Sequence, residues 1–535
     1  MRTFKHLTFA IFASIAIFGC GSTGEILLTP EENIDTIPLK VSDLTEAEKE
    51  NWGHLDLLTD TIPGMSVDKA YAEIIKNKKG KKVIVAVIDS GIDIDHEDLT
   101  GNIWTNQDEV PGNGKDDDNN GYIDDVHGWN FLGDGYDEQL EFVRILSSGD
   151  TSNPDYARAL KTYETEYKTW VDRKTQYDQI LQQVKNTHEL LTKHFGKADY
   201  TQKDVAAITS DDQALNQAKQ IAQYMYGNGI EAMPEAVKEI ENAVSSINER
   251  LNYNLNKNFR GRKTGDDPND LNTKFYGNGN VKPVKKSESH GTHVAGIIAA
   301  KRNNSKGANG VANNVEIMSV RAVPNGDEYD KDVALAIHYA VDNGASIING
   351  SFGKSFSTHS DWVRDAIAYA AKNDVVFVHA AGNDSKNVDV EPNYPDDNVN
   401  GNEISDTYIR VGALAPKYGS GLLAGFSNYG KNNVDIFAPG AQVYSTTPEN
   451  EYDTKGGTSM AAPAVAGVAA LIRSYYPKLS AAQVKKIIMD SGLEIKTKVI
   501  VGGNSDDIQP FANIVKSGKI ANAYNALIMS SKMAN

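Results

Sequence analysis

Two rhythms of apolar and polar positions alternate along the chain. Short, nearly uninterrupted apolar runs occupy Val83–Ile88, Val315–Val320, Ala345–Asn349, Val375–Ala380 and Tyr408–Ala413. Helical spacing falls between them, as over Asp332–Asn343 and Asp361–Asn373. A strand that is apolar on both sides has to be covered on both faces. The runs therefore predict an α/β fold, with a mainly parallel sheet between helical layers assembled from βαβ units.

The middle of the chain follows a different period. Large side chains return at Tyr156, Leu160, Tyr163, Tyr167, Trp170, Tyr177, Leu181, Val184, Leu191 and Phe195, largely at alternating spacings of four and three. That is a heptad seam, and Ile240, Val244, Ile247 and Leu251 repeat it. Residues 138–255 thus read as an inserted, coiled-coil-like antiparallel helical hairpin, its first arm of about 40 residues reaching roughly 60 Å. The α/β domain is expected in two parts, 51–137 and 256–530.

At the start, Arg2 and Lys5 precede an apolar run from Leu7 to Phe18, closed by Gly19 and Cys20. A basic start and about 10–12 apolar residues fit an export signal and are too short for a membrane span. Ile17-Phe18-Gly19-Cys20 resembles a bacterial lipobox. The resemblance implies a signal peptide over 1–19, a lipidated Cys20, a polar tether over 20–50, and a membrane-anchored protein outside the cytoplasm.

Composition narrows the possibilities. With 40% hydrophobic and 24% charged residues, the chain is neither collagen-like, disordered nor multi-spanning. A net charge of −18 offers no field to attract phosphate, so nucleic acid is not an expected partner. A single cysteine, Cys20, excludes an intramolecular disulfide and a cysteine metal cluster.

Three islands carry candidate chemistry. Val85-Ala86-Val87-Ile88-Asp89-Ser90-Gly91 ends a strand on a carboxylate, where open α/β sheets gather functional groups. His290-Gly291-Thr292-His293-Val294-Ala295-Gly296 opens an apolar helix, and Gly456-Gly457-Thr458-Ser459-Met460-Ala461-Ala462-Pro463 opens another. Alone, each polar residue reads as a turn or a cap. Together they supply what a serine nucleophile needs: an imidazole to take its proton and a carboxylate to fix the imidazole's tautomer. The order Asp89, His290, Ser459 differs from the serine-first order of α/β-hydrolases and from the histidine-first order of trypsin-like enzymes. His293 stands three residues after His290, but no glutamate lies between them, so a zinc hydrolase is not expected.

These segments resemble the Asp, His and Ser motifs of the subtilisin-like serine proteases, over residues 81–101 and about 288–495. The resemblance implies a subtilisin-like three-layer fold and a serine endopeptidase that works through an acyl-enzyme. Asp89 would orient, His290 would act as general base and acid, and Ser459 would be the nucleophile. Val375–Asn383, ending in Ala-Gly-Asn, is similar to the family segment that stabilises the oxyanion, which assigns Asn383 as donor beside the Ser459 N–H. Ser351-Phe352-Gly353 resembles the edge that pairs with extended substrate, so polypeptides are the expected substrates. Tyr394-Pro395 and Phe426–Gly430 also match and are read as structural.

A metal site is expected as well. In 114–125, taking Asp116 as position one of an EF-hand-like loop puts oxygen ligands at Asp118 and Asn120, the turn at Gly121, the Tyr122 carbonyl next, and Asp124 as a further carboxylate. Position twelve is His127 and no helices are predicted to flank the loop. So many carboxylates repel one another unless a cation neutralises them, and Ca²⁺ is the expected ion.

Two rival readings are a silent relative used as a binding module and a scaffold lipoprotein whose helical insertion recruits a protein partner. The insertion carries none of the four catalytic residues. Replacing about 140–252 with a linker is therefore expected to spare cleavage of small peptides.

Overall fold

The computed structural model describes Lys40 and residues 42–534. The signal peptide and Cys20 lie outside the described residues. No helix among the described residues is long and apolar enough to cross a membrane. A helix over Glu46–Asn51, closed by a Thr45–Glu48 capping box, begins inside the stretch read as tether. Behind it Trp52 is buried, with its Nε1–H donating to the Gln442 carbonyl at 2.9 Å, so this segment is packed onto the α/β domain.

Nine strands form the main sheet among the described residues. In spatial order they are Leu493–Glu494, Lys519–Ile520, Ile436–Pro439, Tyr408–Leu414, Val376–Ala380, Ile347–Gly350, Val83–Asp89, Val315–Arg321 and Gly128–Asn130. Every pairing is parallel except that of the first two. The apolar runs are the central strands, and their side chains are buried almost throughout. On one face lie Asp330–Asp342 and Ser360–Lys372; on the other, His290–Ala299 and Thr458–Tyr475. The last two, the histidine and serine helices, are apolar all round because they are enclosed between the sheet and outer elements.

Between the aspartate strand (Val83–Asp89) and the histidine helix the chain makes its long excursion. A short helix, Glu141–Ser148, packs at its root, and Tyr156–Phe195 runs out as one helix of 40 residues. The return corrects the expected hairpin: it is made of three helices, Gln202–Ala206, Gln213–Gly227 and Met233–Glu249. Gly196, at φ +66°, stops the outgoing arm, and Thr201 and Asp212 cap the new starts. Nor is the seam continuous. Leu160 and Tyr167 remain 39% and 42% exposed, and burial concentrates in a root core (Leu140, Phe142, Ala159, Leu255) and a tip core (Val184, Leu191, Leu215, Ala222). The arm leaves and returns at one point, where the Leu140 N–H donates to the Asn254 carbonyl at 3.0 Å. The Asn254 amide in turn donates to Glu138 and Asn325 carbonyls, both at 2.8 Å.

The root is held by buried charge. Lys354 Nζ lies 3.2 Å from Glu141 and 2.9 Å from Asp330, and Arg144 pairs with the same Glu141 carboxylate. Burial opposes the charge on Glu141, but Arg144 and Lys354 outweigh it and hold the carboxyl down at about 2.

Candidate active site

The aspartate strand ends on Asp89, which is 1% exposed, and the Ser90 N–H donates to its carboxylate at 2.7 Å. Across from it the histidine helix begins. Gly291 permits the approach, because a Cβ there would sit 2.3 Å from the Gly91 carbonyl and 3.2 Å from the Asp89 Cβ. His290 Nδ1 lies 2.8 and 3.0 Å from the two Asp89 oxygens. That contact places the proton on Nδ1 and leaves Nε2 free to accept one. Burial disfavours the charged ring, yet the Asp89 carboxylate prevails and raises the His290 pKa above its ordinary value. His293 is turned away: its Nε2 lies 3.0 Å from the Asp453 carbonyl, and burial pushes its pKa down to about 3.

Ser459 is the second residue of the serine helix, and its hydroxyl points elsewhere than the imidazole: Oγ donates to the Ser351 carbonyl at 3.1 Å. The reverse bond also exists, from Ser351 Oγ to the Ser459 carbonyl at 2.9 Å. That carbonyl is free of the helix ladder because its i+4 partner is Pro463, which has no N–H. The proline thus releases the acceptor that ties the nucleophile to the substrate edge. A nucleophile that is looser in the free state and tightens onto its base with substrate is ordinary for such a site.

Asn383 follows the strand Val376–Ala380. Its Oδ1 accepts the Thr458 N–H (2.8 Å) and hydroxyl (3.0 Å), which fixes the amide so that Nδ2 is the end left for a ligand. The loop behind it is braced by Asn428, whose Oδ1 accepts the N–H groups of Asp384 and Lys386 and whose Nδ2 donates to the Ala381 carbonyl. Gly382 has φ +100°, and a Cβ would lie 2.4 Å from Asn428 Nδ2, so the turn needs glycine. Phe352 is pinned from below by His379, whose Nε2 lies 2.8 Å from its carbonyl. Gly353 and Lys354 continue the edge, and Lys354 exchanges backbone hydrogen bonds with Tyr394, whose bond to Pro395 is cis.

These groups open onto one cavity of about 420 Å³ that holds Ser459, Thr458, Asn383, Phe352, Gly353 and Asn393. Ser459, Asn383, Phe352 and Gly353 thus line one cavity, while His290 pairs with Asp89 at the end of the strand next to the one that leads to Ser351. Asn428 lies in the segment read as structural, whereas Thr458 and His379 were not expected in supporting roles. The only sequence signal for them is adjacency to the matched motifs, since their partners are dozens of residues away.

The acidic cluster among the described residues overlaps the expected metal-ligand set at Asp118. Asp116 accepts the Asn120 and Gly121 N–H groups, and Asp124 accepts those of Asn113 and Gly114, so both carboxylates shape the loop's own turns. Asn120 uses its amide as a donor to Asp118 and Asp125. No helix flanks the loop, as expected, so it is not a helix–loop–helix. Of the predicted carboxylates only Asp118 joins a cluster, with Glu109 and Asp125, whose ligand oxygens lie within 4.8 Å of one another. Glu109 Oε2 is buried without a hydrogen-bond partner, and burial, with Asp118 beside it, pushes Asp125 up to about 6. This buried acidic group could hold a metal ion.

Comparison with known proteins gives the same picture. The model of the subtilase family matches residues 80–509. The chain is similar to a thermophilic serine proteinase of Bacillus sp. (strain AK1), 38% identical over 240 residues, covering 45% of this chain and 52% of that one. It is 40% identical over 186 residues to thermitase of Thermoactinomyces vulgaris, covering 35% and 61%. Among solved structures, a protease from Pseudoalteromonas arctica PAMC 21717 is similar at 32% identity and a TM-score of 0.36, over 45% of this chain and 70% of that one. The chain thus spans about half the length of the first of these relatives. With the family model running through both parts of the α/β domain and over well more than half the sequence, the chain belongs to the subtilase family.

Proposed function

We propose that the chain is a serine endopeptidase acting on extended segments of polypeptide. The observation that carries this reading is the two-point contact of His290 Nδ1 with Asp89 at the end of the strand next to the one that leads to Ser351, whose carbonyl accepts the Ser459 hydroxyl. Ser459 Oγ leaves the Ser351 carbonyl, gives its proton to His290 Nε2 and attacks the scissile carbonyl. The oxyanion is met by Asn383 Nδ2 and the Ser459 N–H. His290 then protonates the leaving amine, and water, activated by the same imidazole, releases the acyl group. A fluorophosphonate probe tests the reading: covalent capture at Ser459, absent in Ser459→Ala, is expected, and folded protein that resists labelling would refute it.

A metal accompanies this reading. Three carboxylates with one unpartnered buried oxygen suit a hard cation with oxygen ligands, and Ca²⁺ is the ion we propose for Glu109, Asp118 and Asp125. Bound there, it would neutralise the cluster and brace the loop between the aspartate strand and Gly128–Asn130. Localisation follows from the lipobox-like Ile17–Cys20: we propose a lipid-anchored extracytoplasmic protein. Incorporation of labelled fatty acid that disappears in Cys20→Ser would support it, and unlabelled wild-type protein would not.

A further inference from the structure

The catalytic cavity has a wall that no part of the sheet supplies. Leu140, Phe142, Thr162, Glu166 and Arg250, all from the inserted arm, face the same space as Ser459 and Asn383. Arg250 is distinctive among them. It opens a single π-turn, Arg250–Asn254, that ends the returning helix, and widened turns of this kind recur at functional sites. Its Nε is buried without a hydrogen-bond partner. Among the described residues it forms no ion pair, and the Trp170 ring lies 5.5 Å from the guanidinium carbon.

The nearby carboxylates are otherwise engaged. Glu166 Oε2 accepts the Trp170 indole N–H at 3.1 Å, and Asp327 accepts the Glu141 N–H at 2.8 Å. The guanidinium is half-buried, and burial lowers the Arg250 pKa although the charges of Asp327 and Glu166 act the other way. The shape that repairs this is a planar carboxylate, which a guanidinium grips through two parallel hydrogen bonds.

Resting on the endopeptidase reading, we infer that Arg250 of the inserted arm is a specificity residue that receives an Asp or Glu side chain of the substrate. Because it shares the cavity with Phe352 and Gly353, the receiving position is on the acyl side of the scissile bond. The insertion is thereby part of the cleft, and the enzyme selects acidic segments although its own net charge is −18.

The test uses the full chain and one neutral peptide scaffold, with Glu or Gln placed in turn at each acyl-side position. For wild type, one position is expected to show a Glu-over-Gln ratio in kcat/KM of about tenfold or more, the value of a charge-assisted pair. The ratio should fall to near one in Arg250→Gln and be partly kept in Arg250→Lys. Equal cleavage of Glu and Gln peptides at every position by wild type would overturn the inference without any variant having to fold. So would a ratio that survives in Arg250→Gln. Fluorophosphonate capture in the same preparations separates the two claims: capture without acidic preference removes only the role of Arg250, whereas failed capture removes the endopeptidase reading itself.

Discussion

In the proposed mechanism His290 carries the acid–base chemistry, and its environment sets a pH window. The imidazole accepts a proton only when neutral, and Asp89 raises its pKa above the ordinary 6.5. The acidic limb of kcat/KM is therefore expected above that value, with activity rising as the ring deprotonates. Stability runs the other way: a raised pKa stabilises the fold below 6.5 and the benefit is lost as pH rises through the folded value. Asp89→Asn removes the carboxylate, so the limb should move down and kcat should fall by about 10⁴-fold. A pH–rate profile of both proteins checks the two effects together. At the neighbouring position, Asn383→Ala should lower kcat by about 10²–10³ with little change in KM, as steady-state kinetics would show. These residues were legible in the sequence because each sits in a short, distinctive motif. Thr458 and His379, which hold them in place, were not, because a threonine or a histidine reveals its partner only once the chain has folded.

Among elements, the strands were easiest to foresee: a run such as Val375–Ala380 has no polar residue with which to face water before His379, and that histidine spends its Nε2 on the Phe352 carbonyl. The arm was harder. Its spacing announces helix, but not that Gly196 would end the outgoing helix or that Thr201 and Asp212 would begin new ones. Nor could spacing show that Glu141 would be buried against Lys354, one residue beyond the substrate edge. Excising 140–252 would take away Glu141, one of the two carboxylates that hold the buried Lys354, and leave Asp330 as its ion-pair partner. Two constructions distinguish the arm's parts. Glu141→Leu should cost about 3–5 kcal/mol in urea unfolding, since it breaks a buried ion pair on one side only. Replacing 178–245 by a short Gly/Ser loop removes the tip core but keeps the root, and should leave the sheet's unfolding midpoint nearly unchanged. An equal loss from both would show the arm to be one cooperative body.

For the molecule as a whole, the acidic cluster joins regions far apart in sequence: Tyr339, on a helix against the sheet, donates to Asp125 at 2.6 Å. A cation there would act on the stability of the α/β domain. Chelation is expected to lower the melting temperature and resistance to added protease, and Glu109→Gln with Asp118→Asn should abolish the difference between chelator and excess Ca²⁺. Unchanged melting curves with and without chelator would remove the ion. The position of the loop was legible in its density of Asp and Asn, whereas the grouping of Asp118 with Glu109 and Asp125 was not, because it forms only when the loop folds back on itself.

The single point at which the arm departs and returns bears on how the chain finds this fold. Gly128–Asn130 and Val315–Arg321 must pair although nearly two hundred residues intervene. For a flexible loop the entropy of such a closure grows only as the logarithm of length, and each doubling adds only about 0.6 kcal/mol. Here even that is largely avoided, because helices of local contacts can form first and bring Leu140 and Asn254 within a hydrogen bond of each other. To the nascent sheet, the whole excursion then counts as a tight turn. Its length is nearly invisible to the folding of the rest, which leaves that length open to variation in reach and in surface while the strands on either side keep their register.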